Sequence, residues 1–153
     1  MTRPLIAVPM GDPAGIGPEL VLKAAADPET LAEARCAVIG DRAVLERAMA
    51  YPGSPRLVLR TMTDPAQGDY SPGILNLLDL GNVDMAGFAI GQVSGMCGRA
   101  AYAYIESAVQ LALSGRVDAV ATPPVNKESF RAGGIDYIGH TEIFAALTGT
   151  RDP

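Results

Sequence analysis

Metal-binding and cationic side chains are scarce in this chain of 153 residues, which has two cysteines (Cys36 and Cys97), two lysines (Lys23 and Lys127) and one histidine, His140. Neither cysteine stands in a Cys-x-x-Cys or a Cys/His cluster, which argues against a zinc site. Two isolated cysteines also fit a reducing cytoplasm better than a disulfide scaffold. Charge is low as well. Charged residues make up 19% of the chain, and 12 Lys and Arg stand against 17 Asp and Glu for a net charge of −5. Such a balance has no general attraction for nucleic acid or anionic membranes, although local cations can still hold an anion. Long apolar runs are missing too. The opening Met1-Thr2-Arg3-Pro4 leads into a short apolar stretch that soon meets Asp12, too short for a signal-peptide core. No run approaches the ~20 residues needed to cross a bilayer. These absences predict a soluble, cytoplasmic protein with neither nucleic-acid nor membrane partners.

What is present suits one folded unit. The length is close to that of a single domain, the hydrophobic content of 48% is enough for a core, and the charge content is too low for a disordered chain. Leu5 to Pro9 reads as a buried strand ending at a glycine-rich turn, Gly11 to Gly17, after which Pro18-Glu19 opens a helix through Ala26. A short helix from Pro28 to Ala34 precedes a strand from Cys36 to Gly40, and Asp41 is placed to cap a helix through Ala50. Arg56 to Met62 and Gly73 to Leu80 read as strands around a loop at Thr63 to Pro72. Ala86 to Ser94 shows no period. Gly95 to Ser114 has helical periodicity and is closed by Gly115, and Asp118 to Thr122 is a strand stopped by Pro123-Pro124. Asn126 to Ala132 and Thr141 to Leu147 read as the last two helices. Strands alternating with helices across short connections predict an α/β fold with a largely parallel sheet. The chain stops at Arg151-Asp152-Pro153 soon after a helix, which reads as a cut.

Three turns carry candidate chemistry, because ligands of open α/β sheets bind outside the carboxyl ends of the strands. Gly11-Asp12-Pro13-Ala14-Gly15-Ile16-Gly17-Pro18-Glu19 is neither Gly-x-Gly-x-x-Gly nor a P-loop, and its spacing alone fits a tight turn as well as an anion cradle. Thr122-Pro123-Pro124-Val125-Asn126-Lys127 is a rigid turn that sets Lys127 near a helix start, where its charge gains nothing from the helix dipole. That position suits either a phosphate partner or a solvated lysine. In Gly139-His140-Thr141-Glu142, His140 or Thr141 is placed to cap the next helix and Glu142 to complement its dipole, while the imidazole, the hydroxyl and the free helix N–H groups would converge on one oxyanion.

Taken together and in order, Met10 to Glu19, Ala121 to Lys127 and Gly139 to Glu142 resemble the 4-hydroxythreonine-4-phosphate dehydrogenase family. The resemblance covers the whole chain and about the N-terminal half of a family member. It implies an isocitrate/isopropylmalate-dehydrogenase-like fold, here incomplete, with residues 1–153 as the N-terminal portion of a two-domain homodimeric enzyme. It implies NAD-dependent oxidation of a 4-phosphorylated hydroxy acid with decarboxylation, assisted by a divalent metal. The substrate-binding positions carried over are His140 and Thr141, with Lys127 toward the phosphate and Asn126 and Asp12 beside them. No catalytic base is assigned. The family holds its metal with three histidines beyond Gly-His-Thr-Glu, whereas His140 is the only histidine here, so no metal ligand is expected in this chain. The isolated chain is therefore expected to be inactive. The Asn126-Lys127 pair leans toward the threonate or erythronate 4-phosphate branch rather than the pyridoxine branch. A dihydrodiol dehydrogenase of the same family and a non-catalytic phosphate-binding fragment are the alternatives.

Overall fold

The computed structural model describes residues 3–150, so the abrupt end at Arg151-Asp152-Pro153 lies outside the described residues. Five parallel strands form one sheet in the order β3-β4-β2-β1-β5. They are β1 (Leu5–Pro9), β2 (Arg35–Gly40), β3 (Val58–Thr61), β4 (Ile74–Asp79) and β5 (Ala119–Val120). The helices are α1 (Gly17–Ala26), α2 (Pro28–Glu33), α3 (Arg42–Met49), α4 (Gly95–Leu113), α5 (Lys127–Ala132) and α6 (His140–Thr148). This is the α/β architecture with a parallel sheet that the alternating pattern predicts.

Strand β1 is fourth of the five strands, between β2 and the edge strand β5. Ala7 pairs with Ala37 of β2 on one side and with Val120 of β5 on the other. The chain leaves β1 toward β2 but crosses back from β4 to β5, in the opposite direction. Right-handed crossovers therefore put α1 and α4 on opposite faces. Helix α1 packs against α3, while α4 runs across β1, β2 and β5. Ala7, Leu22, Ile39, Leu45, Leu77 and Tyr104 fill the interior with no exposed surface. A second cluster, Ala101, Ile105, Val109, Phe130 and Ile143, fastens α5 and α6 to α4.

Several boundaries differ from the sequence pattern. Only Val58 to Thr61 pair within the 56–62 stretch, and only Ala119-Val120 pair within 118–122. Strand β5 is an edge cut short by Pro123 and Pro124, which have no N–H to donate. Pro65 to Gln67 form a short three-ten turn inside the 63–72 loop, with the Asp64 side chain accepting from the Ala66 N–H at 3.0 Å. Asp41 caps α3 as its position suggests, and its second oxygen also accepts from the Val83 N–H at 3.0 Å. That bond ties the 81–94 segment, whose 86–94 part shows no period, to the sheet.

Candidate active site

The carboxyl ends of β1 and β5 form the switch point of the sheet, and their two loops touch. Asp12 N donates to Pro124 O at 3.3 Å. Gly11 has φ +77°, and a Cβ there would lie 2.6 Å from Pro124 O, so the junction needs glycine on both counts. Together with Gly91 and Gln92 the loops enclose a cleft of about 210 Å³, lined by Asp12, Ala14, Gly15, Ile16, Pro124, Val125 and Asn126. Gly91 N donates to Ala14 O at 2.8 Å, which holds the 81–94 segment against the β1 loop.

Asp12 is 3% exposed, and its Oδ1 accepts from Ala14 N at 2.8 Å. Burial raises its carboxyl above the usual 3.8, opposed by the Ala14 N–H and the Ser129 hydroxyl. Ser129 is fully buried and its Oγ also accepts from Ser94 N at 3.3 Å, so one hydroxyl links α4, α5 and the β1 loop. Nothing in the sequence pattern singled out Ser129. It belongs to a six-residue helix in which only Ser129 and Phe130 are buried, too short for a periodic signal. Gln92 was missed for a different reason, since its segment has no period at all.

Asn126 is the cap of α5. Its Oδ1 accepts from Glu128 N at 2.9 Å and Ser129 N at 3.3 Å, which leaves the amide NH₂ free to face the cleft. Lys127, the first residue of α5, lines a separate hollow of about 140 Å³ with Arg131, Ile135, Asp136, Tyr137 and Ile138. Asp12 and Asn126 thus share one cleft and Lys127 a neighbouring one, while His140 and Thr141 line neither.

The expectation that His140 or Thr141 caps α6 is corrected by the structure. The cap is Gly139 in extended conformation, with no side-chain bond, and His140 is already within the helix. Glu142 does more than complement the dipole, because its Oε2 accepts from Ile138 N at 2.7 Å and fixes the approach to the helix. Freed from capping, the His140 ring stacks on Phe144 with centroids 6.3 Å apart, and its Nε2 is buried without a hydrogen-bond partner. Burial lowers its pKa from the ordinary 6.5, favouring the neutral imidazole. A buried ring nitrogen with no partner is costly.

The described residues do not fit a divalent-metal centre: they contain no group of three or more His, Cys, Asp or Glu able to hold one. Nor does the β1–α1 turn, with glycines at 11, 15 and 17, have the spacing of a dinucleotide fingerprint. Among the described residues no helix is long and apolar enough to cross a membrane.

The family described as pyridoxal phosphate biosynthetic protein PdxA matches residues 32–153. A Fusobacterium nucleatum protein carrying the provisional name D-threonate 4-phosphate dehydrogenase is 52% identical over 151 residues, 99% of this chain and 45% of that protein. The crystal structure of a 4-hydroxythreonine-4-phosphate dehydrogenase from Burkholderia phymatum superposes with a TM-score of 0.93 at 42% identity, over 99% of this chain and 46% of that one. A terephthalate 1,2-cis-dihydrodiol dehydrogenase from Burkholderia xenovorans is more distant, with a TM-score of 0.69 at 29% identity over 89% of this chain and 38% of that one. The chain spans about half the length of the relatives it matches. With its glycine-rich β1 loop, its Asn-Lys turn and its Gly-His-Thr-Glu helix start set on a parallel sheet of matching shape, the chain belongs to the PdxA family.

Proposed function

We propose that this chain is the N-terminal portion of a two-domain, homodimeric, NAD-dependent dehydrogenase that oxidises a 4-phosphorylated hydroxy acid, with D-threonate 4-phosphate the preferred candidate. Oxidation removes a hydride from the carbinol carbon and a proton from its hydroxyl, and the resulting keto acid loses carbon dioxide. The observation that carries the proposal is the 52% identity, over almost the whole chain, to a protein named for that substrate. The dihydrodiol alternative has weaker support, a 29% likeness over 89% of the chain.

Within this scheme the chain's own residues bind and orient. Lys127 pairs with the phosphate, a charge-assisted contact of roughly 1.5–3 kcal/mol. The free Asn126 amide and the Asp12 carboxylate offer a donor and an acceptor to substrate hydroxyls. His140 and Thr141 line neither cleft in the ligand-free chain, so their contact with the substrate rests on the family resemblance and requires the buried Nε2 to be uncovered as the ester binds. The metal ligands must come from outside these residues, so the 153-residue chain should bind without turnover.

The test follows NADH absorbance with D-threonate 4-phosphate, NAD and a divalent metal, and binding of the ester by titration calorimetry. Saturable binding without NADH formation is the expected result. Turnover by the purified chain would overturn the metal argument, and no binding at all would overturn the site. Lys127→Ala should weaken binding of the ester about tenfold or more while barely changing binding of unphosphorylated D-threonate.

A further inference from the structure

Ser129 is fully buried on a six-residue helix, where an alanine would fill the same position with no partner to find. Its polar atoms are tied to both walls of the Asp12 cleft. The backbone N–H donates to Asn126 Oδ1 at 3.3 Å, and the side-chain Oγ accepts from Ser94 N at 3.3 Å. With that lone pair taken, the hydroxyl proton still needs an acceptor, and the Asp12 carboxyl lies against it. The main chain of Ser129 has no room to retreat into α4, since a Cβ on Gly98 would lie 2.0 Å from Ser129 O. Asp12 is equally constrained. Its N–H donates to Pro124 O at 3.3 Å, its Oδ1 accepts from Ala14 N at 2.8 Å, and among the described residues it forms no ion pair. A carboxylate buried without a cation depends on the few donors aimed at it.

We propose that Ser129 is a positioning residue for the ligand cleft, one buried side chain that fixes Asp12 relative to Asn126 and turns the Asp12 carboxylate toward a ligand hydroxyl. The role rests on the ligand contacts of Asp12 and Asn126 proposed above, and adds the residue that holds them in place. Being fully buried, Ser129 acts through these neighbours rather than on the ligand. Removing its hydroxyl takes away one of the donors that favour the charged carboxylate, so the protonated form gains. A protonated Asp12 is a poorer acceptor for a ligand hydroxyl. The titratable side chains that feel the Asp12 charge are Cys97 and Tyr104 of α4, and burial pushes both up, so they stay uncharged where Asp12 titrates.

Two titrations of the 153-residue chain test this. In the unliganded chain, the Asp12 carboxyl carbon is followed by NMR against pH. Ser129→Ala should move its midpoint upward, and Ser129→Thr, which keeps the hydroxyl, should restore most of the parent value. Calorimetry with D-threonate 4-phosphate should show Ser129→Ala weakened about tenfold at about pH 5.5 and markedly less at about pH 8. Each variant is compared with the parent at the same pH, so the ester's own second ionisation cancels. An unmoved midpoint with equal losses at both pH values would make Ser129 merely structural and overturn the proposal. If Asp12→Ala weakens the ester and Ser129→Ala does not, the positioning role is wrong while the ligand role of Asp12 stands. If Asp12→Ala has no effect, both are wrong. Should Ser129→Ala fail to fold, the parent decides: the shielded Ser129 hydroxyl proton should shift with the Asp12 midpoint, and a proton resonance indifferent to that titration would overturn the proposal.

Discussion

Helices α4 and α5 meet backbone to backbone at Gly98, and replacing that residue by alanine should be costly out of proportion to one methyl group. A Cβ at position 98 would lie 2.0 Å from Ser129 O, 2.3 Å from Ser129 C and 2.7 Å from Phe130 N, all main-chain atoms. No side chain can swing away, so the helices must part until the first distance reaches at least 3.0 Å. Overpacking of this kind costs about 1–3 kcal/mol, and the rigid neighbours favour the upper end. Alanine gives back about 1 kcal/mol of helix propensity relative to glycine. The net loss is then about 1–2 kcal/mol, a fall of roughly 2–8 °C in Tm for a domain of this size. The displaced segment carries Asn126, Lys127 and Ser129, so binding of D-threonate 4-phosphate should weaken in parallel. Gly139→Ala is the control for stability: its φ is −174° and nothing lies within 4 Å of the new Cβ, so its Tm should stay within a degree or two of the parent. Thermal melts and urea titrations of both variants decide the matter. A Gly98→Ala protein as stable as the parent would refute the close-approach account.

Asn126 has separable duties. Asn126→Ala removes the α5 cap and should cost about 1 kcal/mol in urea unfolding, whereas Asn126→Asp keeps the capping oxygen, leaves stability nearly unchanged and loses the amide donor needed for ligand binding. Equal stability of the two variants would contradict the cap assignment. For His140 the folded pKa is lowered from 6.5, so below that value the unfolded chain holds the extra proton and stability falls as pH drops from about 6.5 toward the folded pKa. His140→Gln cannot take up that proton, and its urea midpoint should depend less on pH than the parent's across this window; parallel pH profiles would show that the buried ring is not the cause.

Legibility in the sequence followed the kind of physics that holds each element. Strand β1, helix α4 and the caps at Asp41 and Asn126 are local matters of apolar runs, periodicity and polar oxygens at helix starts, and such signals stand in the sequence itself. The two-residue extent of β5 depends on where its partner β1 leaves off and on the prolines that follow, which pattern alone does not resolve. The cap of α6 went wrong because two good polar candidates follow a glycine, and the helix starts at the glycine instead. Asp12 and Asn126 share a cleft because adjacent strand ends bring them together, a fact of topology.

The place of β1 between β2 and β5 has a consequence for how the molecule comes into being. Its pairing with β2 spans about thirty positions, but Leu5 N reaches Asp118 Oδ2 across 113 positions to bind the β5 side. Closing so long a loop costs more chain entropy than closing a short one, and non-local pairings of this kind are slow. During synthesis the β1-β2-β3-β4 half can assemble while β5 is still being made. The cleft beside Asp12 has no second wall until Pro124 meets Gly11, so it forms only after the four-stranded half is in place. A folding intermediate that has its sheet and long helix but no affinity for ligand is the expected companion of this strand order.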